Sequence, residues 1–124
     1  MPKILIADDS RFQVELIASY LRPKGFELVF AGDALQTWMT ALRGQPNLVV
    51  LDINMPGGSG IEVLKRLRMS SKTQQIPVIV VSGNEDDSIE AAARDLAVAD
   101  FLHKPVDETL LCNAVSKVLA PQAN

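Results

Sequence analysis

The sequence predicts an α/β domain: a five-stranded parallel sheet with five helices covering both of its faces. Two observations carry this. Short apolar runs alternate with helical stripes from one end of the chain to the other, the pattern of repeated βα units. The central run, Leu48-Val49-Val50-Leu51, has no polar break, as in a strand buried on both faces. It stops at Asp52, just before Pro56-Gly57-Gly58. In open sheets of this class, ligands bind outside the carboxyl ends of the strands. Taken alone, Asp52 reads equally well as a turn aspartate.

The elements follow in order. Lys3–Ala7 is a short strand ending at Asp8-Asp9, and Val14, Ile17, Ala18 and Leu21 form a helical stripe that Pro23 and Gly25 end. Phe26–Ala31 alternates imperfectly because of Val29 and suits an edge strand. Asp33 and Gln36 have capping-box spacing ahead of a stripe of Leu35, Trp38, Met39 and Leu42; large apolar residues on such a stripe belong to the core. Gln45-Pro46-Asn47 loops into the central strand. Ser59 and Glu62 form a second capping box before Ile61, Leu64 and Leu67. Ser70 to Gln75 is a polar surface loop, and Ile76–Val81 is a buried strand ending at Ser82-Gly83-Asn84. Glu85, Asp86 and Asp87 open a helix whose dipole they complement, with the stripe Ile89, Ala92, Ala93, Leu96. Asp100–His103 is the fifth strand, closed by Lys104-Pro105, and Leu111, Ala114, Val115 and Val118 mark the last helix.

With 124 residues, 48% of them apolar, the chain is one domain with a core that needs no metal or disulfide staple. A net charge of −3 argues against nucleic acid or a membrane surface as the main partner. A single cysteine, Cys112, cannot form an internal disulfide and fits a reducing compartment. The N-terminus lacks signal-peptide flanks, and no run approaches the roughly 18 apolar residues of a membrane span. The expected location is the cytoplasm.

A parallel sheet brings the residues past each strand to one edge: Asp8 and Asp9 after the first, Asp52 after the third, Ser82 after the fourth, Lys104 after the fifth. Three crowded carboxylates repel, and pKa values rise unless a cation is present. Oxygen-rich sites of this kind suit magnesium, which takes one or two carboxylates plus phosphate oxygens. Lys104 adds a point charge for a phosphoryl group and Ser82 a hydroxyl donor. The set fits phosphoryl transfer. Alone, Asp8 and Asp9 read as helix caps and Lys104 as a surface lysine; it is their joint placement at specified strand ends that argues against chance. His103 alternates to the other side of its strand and reads as structural or solvated. Cys112 lies beside the last stripe and reads as inert.

The ordered set Asp8-Asp9, Asp52, Ser82-Gly83 and Lys104-Pro105 resembles the receiver domain of bacterial two-component response regulators, over essentially the whole chain. The resemblance implies a three-layer, doubly wound, flavodoxin-like fold of strand order 2-1-3-4-5, with a receiver domain over residues 1–120 and residues 121–124 as a tail or the start of a linker. It implies Asp52 as phosphoacceptor, and Mg2+ (or Mn2+) held by Asp8, Asp9, Asp52 and the backbone carbonyl of Asn54. Ser82 and Lys104 become phosphoryl ligands, Gly83 the small residue beside them, Ser82 and Phe101 the switch pair, and Lys104-Pro105 a cis bond. The partners implied are a sensor histidine kinase or histidine phosphotransfer protein, and a downstream target at the face of helix 4, strand 5 and helix 5.

Departures from the family pattern carry their own expectations. Gly58 replaces a usual methionine and loosens the loop after Asp52. Ala97 stands where a glycine commonly ends helix 4, so that helix is expected to end differently. Phe101 lacks the hydroxyl of the tyrosine found in some members. No output domain follows Val118, as in a stand-alone receiver, although a receiver cut from a longer regulator or hybrid kinase reads the same way. A receiver catalyses its own modification without turning over an outside substrate. The rival reading as an aspartyl-phosphate hydrolase needs a carboxylic acid two residues after Asp52, where Asn54 cannot give up a proton. A flavodoxin-type electron carrier needs a hydroxyl- and glycine-rich first loop, whereas Ala7-Asp8-Asp9-Ser10 repels a cofactor phosphate.

Overall fold

The computed structural model describes residues 1–55, 58–83 and 86–119. Five strands form one sheet: β1 (Lys3–Ala7), β2 (Glu27–Ala31), β3 (Leu48–Asp52), β4 (Val78–Ser82) and β5 (Asp100–His103). All neighbours pair in parallel, in the order β2-β1-β3-β4-β5. The helices are α1 (Arg11–Leu21), α2 (Ala34–Gly44), α3 (Gly60–Met69), α4 (Asp87–Asp95) and α5 (Glu108–Leu119). A two-residue hairpin, Asn54–Met55 against Gly58–Ser59, links β3 to α3. None of the described helices is long and apolar enough to cross a membrane.

Strand alternation sorts the core into two layers. Leu5, Val49, Leu51, Val78 and Val80 point to the side covered by Ala41 of α2, Val63, Leu64 and Leu67 of α3 and Ala93 of α4. Ile4, Ile6, Leu48, Val50, Ile79 and Val81 point to the side covered by Ile17, Ala18 and Leu21 of α1 and Leu111, Ala114 and Val115 of α5. Every residue of β3 and β4 is buried, which accounts for their unbroken apolar runs. Strand β2 lies at the edge with its residues partly exposed, matching its imperfect alternation.

Local chemistry sets the helix ends. Asp33 accepts a hydrogen bond from the Gln36 amide at 2.7 Å. The return bond of this box comes one residue early, because Gln36 Oε1 accepts from Gly32 N–H at 3.0 Å. Ser59 accepts from Glu62 N–H at 3.2 Å, and Asp86 caps α4 by accepting from Ser88 N–H at 2.9 Å. Past α1, a turn of 3-10 helix over Arg22–Lys24 closes at Gly25 with φ +88°, a left-handed conformation suited to glycine.

Four details differ from the sequence reading. The core face of α2 is Ala34, Thr37 and Ala41, while Trp38 and Met39 are half-buried and Leu35 is exposed. Small residues let α2 lie close to the sheet, and the large ones are displaced to its flank. Thr73, in the expected surface loop, is buried, and its hydroxyl donates to Leu67 O at 2.7 Å, satisfying a carbonyl of the last turn of α3. Strand β4 runs two residues in from Ile76, and Pro77 contributes only its carbonyl, accepting from Val49 N–H at 3.0 Å.

The fourth concerns Ala97, which keeps the left-handed cap without glycine, at φ +59°. The Arg68 guanidinium donates to Leu96 O at 2.9 Å and Ala97 O at 3.4 Å around that cap, and to Ile76 O at 2.8 Å and Gln74 O at 3.3 Å. One side chain of α3 thus ties down the end of α4 and the entry to β4.

Candidate functional site

The carboxyl edge of the sheet gathers the residues that the topology requires. Asp52 is the last residue of β3 and is 3% exposed. Its Oδ1 accepts from Asn54 N–H at 3.2 Å, so the turn after β3 is folded back on the carboxylate. Asp8, just past β1, is also buried, and its Oδ1 accepts from Ser10 N–H at 2.9 Å. Asp9 is exposed beside them. Carboxylate oxygens of Asp8, Asp9 and Asp52 lie within 4.8 Å of one another.

Lys104 follows β5 through a cis bond to Pro105. Its backbone N–H donates to Ser82 O at 2.8 Å, which aims the side chain back across the edge. The ammonium stands 3.3 Å from Asp8 Oδ2 and 3.4 Å from Asp52 Oδ1. Burial is the largest influence on Asp52 and raises its pKa to about 6, with the Asp8 charge adding to the rise. The Asn54 amide and the Lys104 ammonium pull it the other way. Burial, more than repulsion from Asp8, therefore sets the rise at Asp52.

The donors suit a hard cation. All are oxygens, two of the carboxylates are buried, and Asp8 Oδ2 is buried and accepts no hydrogen bond even with Lys104 nearby. A buried carboxylate oxygen without a hydrogen bond, close to two further carboxylates, is what magnesium or manganese coordination would satisfy.

Ser82 ends β4 and is fully buried, one residue beyond the Asp52↔Val81 pairing. A Cβ built on Gly83 would meet Lys104 Cδ at 3.8 Å, an ordinary contact, so the protein itself does not demand glycine there. Phe101 is 6% exposed, with its ring packed edge-on against His103 at 5.3 Å. His103 Nε2 lies 3.6 Å from Glu90 Oε1 of α4. Cys112 Sγ rests 3.9 Å from Tyr20 O. Pro56 and Gly57, in the loop that Gly58 was expected to loosen, lie outside the described residues, as do Asn84 and Glu85.

Gly60 escaped the sequence reading. A Cβ there would fall 2.6 Å from Ile53 Cα and 2.8 Å from Asp52 O, so only glycine lets α3 start against the backbone of the phosphoacceptor candidate. Its N–H donates to Ile53 O at 2.7 Å. The signal was a glycine directly after a capping serine. Arg68 also went unnoticed, because nothing in a basic helical face marks which cation turns inward.

The family model of the response regulator receiver domain matches residues 4–116. The protein PilH of Pseudomonas aeruginosa is 31% identical over 120 residues, covering 97% of this chain and 99% of PilH. The response regulator PleD of Caulobacter vibrioides is 29% identical over 109 residues, 88% of this chain but only 24% of PleD. The crystal structure of a response regulator receiver protein from Pseudomonas putida superposes with a TM-score of 0.87 at 31% identity, covering 94% of this chain and 96% of that one.

Proposed function

The chain belongs to the response regulator receiver domain family, and from that premise we propose that it is a switch set by phosphorylation of Asp52, with a histidine kinase or histidine phosphotransfer protein as the donor. The observation that carries this reading is the enclosed Asp52 carboxylate with Asp8, Asp9 and Lys104 around it at the carboxyl edge of the sheet.

In the proposed step an Asp52 carboxylate oxygen attacks the phosphorus of the donor's phosphohistidine in line. The new O–P bond forms as the P–N bond breaks, and the imidazole leaves with its electron pair. Lys104, already within 3.4 Å of Asp52 Oδ1, exchanges carboxylate contacts for the equatorial phosphoryl oxygens and neutralises their charge. Ser82 donates to the same group. Asp8, Asp9 and Asp52, with the Asn54 carbonyl, are the residues that would hold Mg2+ or Mn2+; the cation supplies further positive charge beside the phosphoryl oxygens.

The readout proposed is the face of α4, β5 and α5, through Ser82 and Phe101. The Phe101 ring is buried in this structure, so the alternative conformer carries it outward. Without a phenolic hydroxyl no hydrogen bond fixes either rotamer, and the gap between states is of order 1–3 kcal/mol, the usual size of allosteric coupling. The proposal takes the domain as residues 1–120, the location as cytoplasmic, and the chemistry as self-modification without an outside substrate. Residues 121–124 are proposed as a tail or linker.

Incubation with acetyl phosphate and magnesium, read by intact mass, tests it. One alkali-labile phosphoryl group is expected on the wild type and none on Asp52→Ala. Ser82→Ala is expected to accept the group yet to lose most amide shifts over residues 86–115 on beryllofluoride addition. Uptake by Asp52→Ala at the wild-type rate refutes the site; shifts confined to α1 refute the readout face.

A further inference from the structure

A second surface shares no residue with the acidic edge. Between α2 and α3 lies a groove of about 430 Å3, lined among others by Leu35, Trp38, Glu62, Lys65, Arg66 and Met69. Leu35 is 62% exposed and Met69 85%, two large apolar side chains left in water on facing helices. Trp38, half-buried, also lines the groove, and the Arg66 guanidinium lies over its ring at 5.0 Å. Helix α2 buries its small residues Ala34, Thr37 and Ala41, and two of its large ones, Leu35 and Trp38, line this groove.

The charge around the groove is one-sided. Helix α2 contains no acidic residue, and of the charged residues lining the groove Lys65 and Arg66 stand against Glu62 alone. In a separate hollow, Arg43 in the last turn of α2 and Lys72 past the end of α3 add two more cations. This cationic surface belongs to a chain of net charge −3. By contrast, α4 carries Asp87, Glu90 and Asp95 against Arg94. An apolar floor with a basic rim recognises the opposite arrangement, apolar anchors flanked by carboxylates.

We propose that the groove between α2 and α3 docks an acidic amphipathic helix from a partner protein. Its apolar anchors sit against Leu35 and Met69, and its carboxylates pair with Lys65 and with Arg66 beside Trp38. A nucleic acid strand is disfavoured by the aliphatic walls and by Glu62 in the lining. A second copy of this chain, offering its acidic α4, is the other occupant that the test separates.

Trp38 is the only tryptophan, so its emission reports on the groove directly. The probes are a panel of synthetic helical peptides of about four turns, free of Trp and Tyr, with Leu at i, i+3 and i+7 in varied registers and Glu on the flanks. Counterparts with Lys in place of Glu serve as controls. A saturable blue shift of Trp38 emission is expected with acidic peptides, with at least tenfold weaker binding for the lysine counterparts. Lys65→Glu is expected to weaken binding about tenfold, and Leu35→Glu to abolish it. Both positions are solvent-exposed, and circular dichroism checks that the fold is kept. The proposal is overturned if no acidic peptide shifts the emission at millimolar concentration, or if charge reversal leaves affinity unchanged. It is also overturned if a single-stranded oligonucleotide binds in preference. Sedimentation showing self-association that Leu35→Glu removes assigns the groove to a second copy and overturns it as well.

Discussion

Replacing Asp52 by asparagine is expected to stabilise the metal-free fold near neutral pH and to do little in acid. The Asp52 carboxyl has a pKa of about 6 in the folded chain against 3.8 as its ordinary value. Between those values the folded state binds more protons than the unfolded one, so stability falls as pH rises through this window and levels off above it. Roughly two units at 1.36 kcal/mol each correspond to about 3 kcal/mol lost by about pH 7.5. Asparagine keeps an oxygen that can accept from Asn54 N–H but removes the charge. It also takes one partner from Lys104, which retains Asp8 at 3.3 Å; about 1 kcal/mol is deducted for this. Urea unfolding in chelator is therefore expected to give a gain of about 2 kcal/mol at about pH 7.5 and nearly none at about pH 4. Magnesium favours the carboxylate and should shrink the gain. An equal difference at both pH values, or a less stable Asp52→Asn at neutral pH, refutes the claim that burial of this charge strains the site.

Three further outcomes follow from the same structure. Asp9→Ala is expected to weaken magnesium binding more than tenfold by calorimetry, because it removes one of three clustered carboxylates; unchanged affinity excludes Asp9 as a ligand. Ala97→Gly is expected to raise stability by about 0.5–1 kcal/mol by relieving a left-handed alanine. Arg68→Ala is expected to cost about 3 kcal/mol, through the loss of four carbonyl contacts. Hydrogen exchange should then speed up first at the end of α4, and uniform exchange would show that Arg68 does not restrain it.

The layers of this fold were legible because burial leaves a plain record. Runs such as Leu48–Leu51 and Val78–Val81 face core on both sides of the sheet, so every position is apolar. The α1 and α5 stripes were readable for the same reason: Ile17, Ala18 and Leu21, and Leu111, Ala114 and Val115, are the buried residues of those helices. Helix α2 was misread because periodicity reports where apolar residues lie, without saying which of two apolar flanks meets the sheet. Ala34 and Ala41 won that contest by size, leaving Trp38 half-buried at the core's flank and Leu35 exposed.

At the site, side-chain types could be read but not the backbone that arranges them. Asp8, Asp9, Asp52, Ser82 and Lys104 could be placed at one edge from sequence because a parallel sheet delivers strand ends there whatever the loops do. Gly60 could not be read the same way, since its role exists only once α3 lies against Ile53 and Asp52. That contact couples the two parts of the molecule. The Gly60 N–H donates to Ile53 O at 2.7 Å, which joins the start of α3 to the residue after Asp52. Near the other end of the same helix, Arg68 holds the cap of α4 through Leu96 O and Ala97 O. One helix therefore bridges the edge that carries Asp52 and the end of α4, a connection that Arg68→Ala would sever.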